Sequence, residues 1–231
     1  MHPFKPYAIF DMDGTLLDSM SYWHELGRSC LRSCHIPIPD DLEERVKAMT
    51  LSQSAVYFVE QLGLPGQPEA IADQMRNTIR HAYEVEIQPK PGAVEYLQYL
   101  RAQGVRTCIA TATDLSLAQP CLQRLNLLPL LDFVVSCEET GAGKSEPDVF
   151  LLAVQRFSQC VNPRQAPAAI VPSQVTVYED ACHAARTARE AGFYTVGVYD
   201  ALTEQALLKP FCHHYITDFP SELARLRGVG R

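Results

Sequence analysis

Short apolar runs bounded by turn residues recur along the chain, and they predict six β-strands. The first run covers residues 7–10 and stops at a charged turn that begins with Asp11. Apolar runs of roughly four to eight residues with such boundaries are typical of buried strands. The other runs that share this pattern lie at 105–110, 133–135, 175–178, 194–198 and 214–216.

The stretch between the first and second predicted strands carries helical patterns only. Helices are predicted over 21–34, 40–49, 52–62 and 69–85, and no strand pattern is found between residues 16 and 88. Proline and glycine in the segment Leu64-Pro65-Gly66-Gln67-Pro68 interrupt the helical pattern between the last two helices. We therefore interpret residues 17–87 as an inserted all-helical domain.

Strands and helices alternate after residue 88. One predicted helix begins near Pro91 and ends at Gly104, and a later one runs to about residue 125 with Pro120 inside it, so that it should start late or kink. Such alternation predicts a parallel sheet covered on both faces. The predicted fold class is α/β, a doubly wound, Rossmann-like parallel sheet. Residues 1–16 and 88–231 form the core domain, and crossings near Leu17 and Gln88 lead into and out of the helical domain.

Composition narrows the class of protein further. The 231 residues are 47% hydrophobic, too apolar for a disordered chain, and 27 acidic against 20 basic residues give a net charge of −7. An acidic chain has no general attraction to nucleic acid or to an anionic membrane surface. No apolar run approaches a membrane span, and the four apolar residues before Asp11 are too few for a signal peptide. We expect a cytoplasmic protein without a nucleic-acid or membrane partner; its oligomeric state stays open, with a monomer favoured.

The eight cysteines do not form a pattern typical of zinc sites or disulfide frameworks. The sequence contains no Cys-x-x-Cys pair, and the local groups Cys30/Cys34 and Cys212-His213-His214 have no matching second half. We interpret most of the cysteines as small buried side chains in a reducing compartment.

Polar side chains follow three of the predicted strands at the point where each ends. Asp11 and Asp13 follow the first strand, Thr111 ends the second, and Glu179 and Asp180 follow the fourth. The carboxyl ends of parallel strands lie along one edge of the sheet, so these side chains should converge. Converging carboxylates repel one another unless a cation lies between them, and Mg²⁺ prefers oxygen ligands of this kind. The sequence therefore predicts a Mg²⁺ site at this edge.

Four short motifs together resemble those of the haloacid dehalogenase superfamily. Asp11-Met12-Asp13-Gly14-Thr15 after an apolar strand resembles its first motif, and Thr111 at the end of the second strand resembles its Ser/Thr motif. Gly143-Lys144-Ser145-Glu146-Pro147-Asp148 resembles its lysine motif, and Tyr178-Glu179-Asp180-Ala181 its acidic motif. The motifs occur in the family's order, each at a predicted strand end or helix start, and the helical insertion is similar to the family's cap domain.

The resemblance implies a phosphoryl-transfer mechanism. Asp11 would attack phosphorus and form an aspartyl-phosphate. Asp13 would protonate the leaving oxygen and then deprotonate the attacking water. Thr111, Ala112 and Lys144 would bind the phosphate group of the substrate, and Lys144 would neutralise part of its charge.

The same resemblance implies the ligands of the magnesium ion. Asp11 and Asp180 would bind it through their carboxylates, and Asp13 through its backbone carbonyl. Glu179 would either ligate the ion through water or position Lys144.

These features favour a Mg²⁺-dependent phosphatase that acts on a small phosphorylated metabolite, for example a sugar phosphate. The main alternative is a phosphotransferase of the β-phosphoglucomutase type, and a non-catalytic binding module is a weaker one. The family's mutases carry a Gly-x-x-Arg-like segment between early cap helices, and the corresponding residues 49–54 here contain neither glycine nor arginine. Basic residues elsewhere in the insertion, Arg28, Arg45, Lys47 and Arg76, leave the mutase open. The break at residues 48–54 is interpreted as a substrate-facing loop.

Overall fold

The computed structural model describes residues 4–46, 49–159 and 169–228. Six strands form one parallel sheet in the order β3-β2-β1-β4-β5-β6. The strands are β1 (Tyr7–Phe10), β2 (Arg106–Thr111), β3 (Phe133–Ser136), β4 (Val175–Glu179), β5 (Tyr194–Val198) and β6 (His214–Ile216). Each lies where the sequence predicts a strand, and the α/β fold class is confirmed.

Helices connect the strands and cover both faces of the sheet. The α-helices of the described residues are α1 (Met20–Ser33), α2 (Leu42–Val46), α3 (Leu51–Glu60), α4 (Pro68–His81), α5 (Ala93–Ala102), α6 (Leu115–Arg124), α7 (Asp148–Gln159), α8 (Cys182–Glu190), α9 (Gln205–Leu208) and α10 (Phe219–Gly228). A π-helical turn, Ala82–Glu86, continues α4. None of these helices combines the length and apolarity needed to cross a membrane.

Neighbouring residues of β1 show why the strand is apolar along its whole length. Ile9 packs into one buried cluster with Phe150 of α7, whereas Phe10 belongs to a second cluster on the other face with Tyr96 of α5. Phe10 also stacks on Tyr178 of β4, with ring centroids 4.1 Å apart. A central strand buried on both faces has no polar face, so its pattern is a continuous apolar run.

Two helices differ from the sequence expectation. The helix predicted over 40–49 begins at Leu42, and its described part ends at Val46. For the helix that contains Pro120, the expected late start is wrong, since the helix spans Leu115–Arg124 with the proline inside it, and the alternative of a kink stays a prediction. Of the seven described cysteines, four are buried, namely Cys30, Cys108, Cys121 and Cys137; Cys160 lies outside the described residues.

The two crossings between the sheet and the helical insertion run side by side in opposite directions. The amide of Asp18 donates to the carbonyl of Gln88 over 2.9 Å, and the amide of Lys90 donates to the carbonyl of Leu16 over 2.8 Å. Leu17 and Pro89 form an antiparallel bridge between these hydrogen bonds. The chain thus leaves and re-enters the sheet region at one place.

Candidate active site

The candidate site lies where the strand order reverses. β1 pairs with β2 on one side and with β4 on the other, and in open α/β sheets a crevice forms at the carboxyl ends of such strands. Asp11 follows β1, Glu179 ends β4, and Asp180 comes next. The amide of Asp11 donates to the carbonyl of Tyr178 over 2.9 Å, which fixes the two strand ends against each other.

Lys144 lies between two of these carboxylates. Its ammonium group contacts Asp11 and donates to Glu179 over 2.6 Å, and all three side chains are buried. Burial by itself would lower the pKa of Lys144, but the charges of Asp11 and Glu179 outweigh it and raise the pKa above its usual value. Lys144 therefore carries its charge throughout the physiological range. Of the two expected roles of Glu179, this contact supports the positioning of Lys144.

Three buried carboxylates lie close enough together to share one cation. Asp11, Glu179 and Asp180 offer oxygen atoms that all lie within 4.8 Å of one another. The pKa of each of them is raised, that of Glu179 to about 8, chiefly by burial and also by neighbouring carboxylates, although Lys144 lowers the pKa of Asp11 and Glu179 in part. A hard divalent cation would relieve this repulsion, and an all-oxygen donor set with only a few carboxylates suits Mg²⁺. These residues therefore fit the predicted metal.

Gly14 makes the turn after Asp13 possible. Its φ of +82° lies in the left-handed region, and a Cβ atom there would come within 2.5 Å of Asp180 Oδ2 and 2.8 Å of Met20 Cγ. Thr15 then donates its hydroxyl to Asp180 Oδ1 over 3.1 Å. The first motif therefore positions Asp180 in two ways: Gly14 leaves room for its carboxylate, and Thr15 forms a hydrogen bond with it.

The side chain of Asp13 is held by three hydroxyl groups. Its Oδ1 accepts from the hydroxyls of Ser19 over 2.7 Å and Tyr83 over 2.6 Å, and its Oδ2 accepts from the hydroxyl of Thr113 over 2.7 Å. Within the described residues, its side chain is not part of the carboxylate group that could share a cation. This separation suits an acid/base whose task differs from that of Asp11.

The end of β2 and the loop after it supply two of the predicted phosphate-binding residues, Thr111 and Ala112. The amide of Thr113 donates to the Thr111 hydroxyl oxygen over 3.0 Å, which leaves the Thr111 hydroxyl hydrogen available to a ligand. Ser136 donates to the carbonyl of Thr113 over 3.1 Å and holds the loop against β3. Thr111 and Ala112 both line the cavity above the site.

That cavity has a volume of about 410 Å³ and lies between the sheet and the helical insertion. Asp11, Asp13, Lys144 and Asp180 line it from the sheet side. Contributors from the insertion, all between residues 20 and 75, include Trp23, His24, Arg28, Glu43, Leu51 and Phe58. A space of this size accommodates a small metabolite rather than a polymer.

The break predicted over residues 48–54 is only partly a loop. Thr50 caps α3 through a reciprocal hydrogen-bond pair with Gln53, so residues from Leu51 onward are helical. Met49, Leu51 and Ser54 nevertheless line the cavity, which agrees with the expected position facing the substrate. Ala48 lies outside the described residues, as does Lys47.

Sequence reasoning did not assign the hydrogen-bond partners of Asp13. Tyr83, Ser19 and Thr113 all bond to Asp13, although Tyr83 is 70 residues away along the chain. Trp23 donates its indole N–H to Tyr83 over 3.0 Å. Ser19 and Thr113 lie near motifs and could have been tested for contact with Asp13. No local signal marks Tyr83.

Comparison with known proteins adds a family match over most of the chain. A family model for haloacid dehalogenase-like hydrolases matches residues 7–192. A phosphorylated carbohydrates phosphatase from Thermotoga maritima is 26% identical over 204 residues, covering 87% of this chain and 89% of the relative. A protein from Drosophila melanogaster named "Probable pseudouridine-5'-phosphatase" is 31% identical over 207 residues, covering 86% of this chain and 84% of the relative.

A solved structure gives the same architecture. The crystal structure of a candidate β-phosphoglucomutase from Thermotoga maritima superposes with a TM-score of 0.69 at 25% identity. The superposition covers 96% of this chain and 99% of the other.

Proposed function

Since this chain belongs to the haloacid dehalogenase-like hydrolases, we propose that it is a Mg²⁺-dependent phosphatase that acts on a small phosphorylated metabolite through an aspartyl-phosphate at Asp11. The strongest support is the buried contact between Lys144 and Asp11 in the wall of the cavity. A carboxylate and a phosphate repel each other, so a nucleophilic carboxylate needs a cation at its side. The phosphatase names of the curated relatives agree with this proposal.

In the first step, a carboxylate oxygen of Asp11 attacks phosphorus and the bond between phosphorus and the ester oxygen breaks. Asp13 gives its proton to the leaving oxygen. In the second step, Asp13 takes a proton from a water molecule whose oxygen attacks phosphorus. The bond between phosphorus and Asp11 then breaks, so that inorganic phosphate leaves and the Asp11 carboxylate is restored.

The surrounding residues bind and orient the reacting groups. Lys144 and the Thr111 hydroxyl would bind phosphate oxygens, together with the backbone at Ala112. Asp11, Asp180 and the backbone carbonyl of Asp13 would hold Mg²⁺, with Glu179 holding Lys144 in place. The metal, when bound, supplies positive charge that offsets the charge of the phosphate and the carboxylates.

Residues 17–87 form a cap domain in this proposal, and residues 1–16 and 88–231 form the core. The cap closes the cavity over the carboxylates. The core binds the phosphate group, and the side chains of the cap contact the rest of the substrate and determine which metabolite is accepted. The cavity volume of about 410 Å³ suits a metabolite of the size of a sugar phosphate.

The basic residues of the cap favour hydrolysis over a mutase reaction. A mutase has to bind a second phosphate group while its intermediate turns round, and this requires a basic contact in the cap. Arg28 lines the cavity but pairs with Glu43 at 2.5 Å. Arg76 contacts Asp114 and Asp73, and Arg45 pairs with Asp41 at 2.7 Å. These three arginines are thus engaged by carboxylates, and Lys47 lies outside the described residues.

The test measures phosphate release from a panel of phosphorylated metabolites with Mg²⁺, by the wild type and by Asp11→Asn. We expect Asp11→Asn to reduce turnover by more than about 10³-fold, because an amide cannot form the covalent intermediate. Acid-quenched wild type should carry a phosphoryl adduct on the peptide that contains Asp11.

Two outcomes would contradict the proposal. Turnover of Asp11→Asn within tenfold of the wild type would remove Asp11 as the nucleophile. For the mutase alternative, phosphorus NMR with β-glucose 1-phosphate and a trace of glucose 1,6-bisphosphate is decisive. Accumulation of glucose 6-phosphate with little inorganic phosphate would show that the protein is an isomerase and not a hydrolase.

A further inference from the structure

Tyr83 is a buried tyrosine whose hydroxyl reaches the carboxylate of Asp13. The side chain is 1% exposed, and its hydroxyl oxygen lies 2.6 Å from Asp13 Oδ1. It belongs to the π-helical turn Ala82–Glu86, just before the chain returns to the sheet. Such turns within helices are uncommon and occur often at functional sites, where they change the direction of a side chain.

The direction of the hydrogen bond between Tyr83 and Asp13 is fixed by Trp23. The Trp23 indole N–H, which can only donate, points at the Tyr83 oxygen over 3.0 Å, and the two rings pack edge to face at 6.2 Å. The phenol oxygen therefore accepts from Trp23 and donates its own hydrogen to Asp13. Burial, and then the charge of Asp13, raise the pKa of Tyr83 well above its ordinary value, so the phenol keeps this hydrogen.

Three hydroxyls from separate segments hold the Asp13 carboxylate. Ser19 comes from the first crossing, Tyr83 from the turn that precedes the second crossing, and Thr113 from the loop after β2. Two of them donate to Oδ1 and one to Oδ2, so the carboxylate plane cannot rotate without breaking a hydrogen bond. Two of the three donors lie at opposite ends of the helical insertion.

We propose that Tyr83, held by Trp23, is a positioning residue that orients Asp13 for proton transfer to the leaving oxygen. The inference rests on the proposed role of Asp13 as the acid. The other explanation is that Tyr83 only fills the core, in which case its hydroxyl would matter for stability and not for one chemical step.

The dependence of rate on the leaving group separates these explanations. An aryl phosphate with an acidic phenol, such as 4-nitrophenyl phosphate, needs little help from an acid, whereas phenyl phosphate, similar in shape, needs more. The value of kcat/KM reports the steps up to breakage of the ester bond, which is where Asp13 acts as the acid. A defect in the acid therefore grows along a series of aryl phosphates as the phenol becomes less acidic.

The experiment compares wild type, Tyr83→Phe and Asp13→Asn on this series, with Mg²⁺ present. General acid catalysis typically contributes about 10²–10⁴-fold, and we expect the loss of one positioning hydrogen bond to reach about tenfold on phenyl phosphate. The loss on 4-nitrophenyl phosphate should stay within about twofold. Asp13→Asn should show the same trend with a larger amplitude.

Tyr96→Phe is the matched control. Tyr96 is also a buried tyrosine, and its hydroxyl lies 3.1 Å from the hydroxyl of Tyr178, away from Asp13. It should lose stability without a change in the leaving-group trend. If Tyr83→Phe does not fold by circular dichroism, Trp23→Phe takes its place in the series. It removes the indole donor together with part of the ring that packs on Tyr83, and it should show the same trend with a smaller amplitude.

An equal loss on all esters, or no loss, would overturn the positioning role of Tyr83 while Asp13→Asn still shows the trend. If Asp13→Asn shows no trend, the acid role of Asp13 in the proposed function fails, and the inference about Tyr83 fails with it.

Discussion

Lys144 is a residue whose single charge serves both folding and the proposed chemistry. Lys144→Ala leaves Asp11 and Glu179 buried without their cation, and breaking a buried ion pair in this way costs about 3–5 kcal/mol. We expect the free energy of unfolding to fall by that order, and kcat/KM by more than about 10²-fold. Thermal unfolding and steady-state kinetics measure the two effects.

Lys209→Ala is the control for this prediction, because Lys209 is an exposed lysine outside the site. It should leave the kinetics unchanged and lower the free energy of unfolding by no more than about 1 kcal/mol, because its ammonium group lies 4.8 Å from the centroid of the Tyr215 ring. Unchanged kinetics in Lys144→Ala would mean that the lysine motif is assigned to the wrong residue.

Gly14 allows a prediction that separates backbone strain from close approach. Gly14→Ala places a Cβ atom 2.5 Å from Asp180 Oδ2 in a residue with φ of +82°. Gly104→Ala has a φ of +79° but nothing within 4 Å of the added atom, so it isolates the backbone strain, roughly 1–2 kcal/mol. We expect Gly14→Ala to be the less stable of the two and to bind Mg²⁺ more weakly, as measured by thermal unfolding and calorimetric titration. Equal behaviour of the two variants would contradict the steric argument.

Residues of the site were predictable where chemistry and spacing coincide. Asp11 and Asp13 stand two apart after an apolar strand, and the structure brings Lys144 against Asp11 although 133 residues separate them. Thr111 and Ala112 reach the cavity as expected. The contact of Tyr83 with Asp13 was not predictable. It depends on the three-dimensional position of the end of the helical insertion, and the sequence around Tyr83 has an ordinary helical pattern.

The helix α4 is joined to the core by a partly buried ion pair. Arg76 contacts Asp114, the residue just before α6, whose side chain is 5% exposed. Arg76→Gln leaves that carboxylate without its cation, and we expect a loss of about 2 kcal/mol together with faster hydrogen exchange in α4. Arg80→Gln, an exposed residue one turn further along α4, is the control. Equal exchange rates in the two variants would show that the ion pair does not hold α4 to the core.

Elements were predictable where periodicity is strong and less so at their ends. The six strands follow from apolar runs, because a sheet buried on both faces requires them. The predicted helix over 69–85 exists, but its last turn is the π-helical turn Ala82–Glu86. The π-turn covers only five residues, which are too few for the spacing of apolar residues to reveal a change of period. Pro120 likewise shows that a helix tolerates a proline that sequence rules would place at its start.

The whole molecule should become more stable when Mg²⁺ binds. A ligand that binds only the folded state adds about 2.7 kcal/mol at one hundred times its Kd, which corresponds to a rise in Tm of about 5–11 °C for a chain of this size. A chelator should reverse the rise and stop turnover. Ca²⁺ should also raise Tm but inhibit the reaction, because its larger and looser coordination shell misplaces Asp11.

Asp180→Asn is the matched variant for this prediction, because it removes one of the three carboxylates that could share the cation. It should lose most of the Mg²⁺-dependent rise in Tm while the protein without metal stays at least as stable, since one of three mutually repelling charges is gone. A full rise in Asp180→Asn, or full turnover in excess chelator, would contradict the metal site.

The paired crossings at Leu17 and Pro89 have a consequence for how such a protein can be changed. The chain leaves the sheet region and returns to it within one pair of hydrogen bonds. The ends of the insertion of seventy-odd residues are therefore as close together as the ends of a short hairpin loop. The entropy of closing that loop depends only weakly on its length. The segment can therefore be exchanged for another of different size without a shift in the register of β1 against β2. The same core domain can therefore be combined with different insertions, and each insertion can bring a different substrate preference. Protein engineering and gene fusion can both make such exchanges.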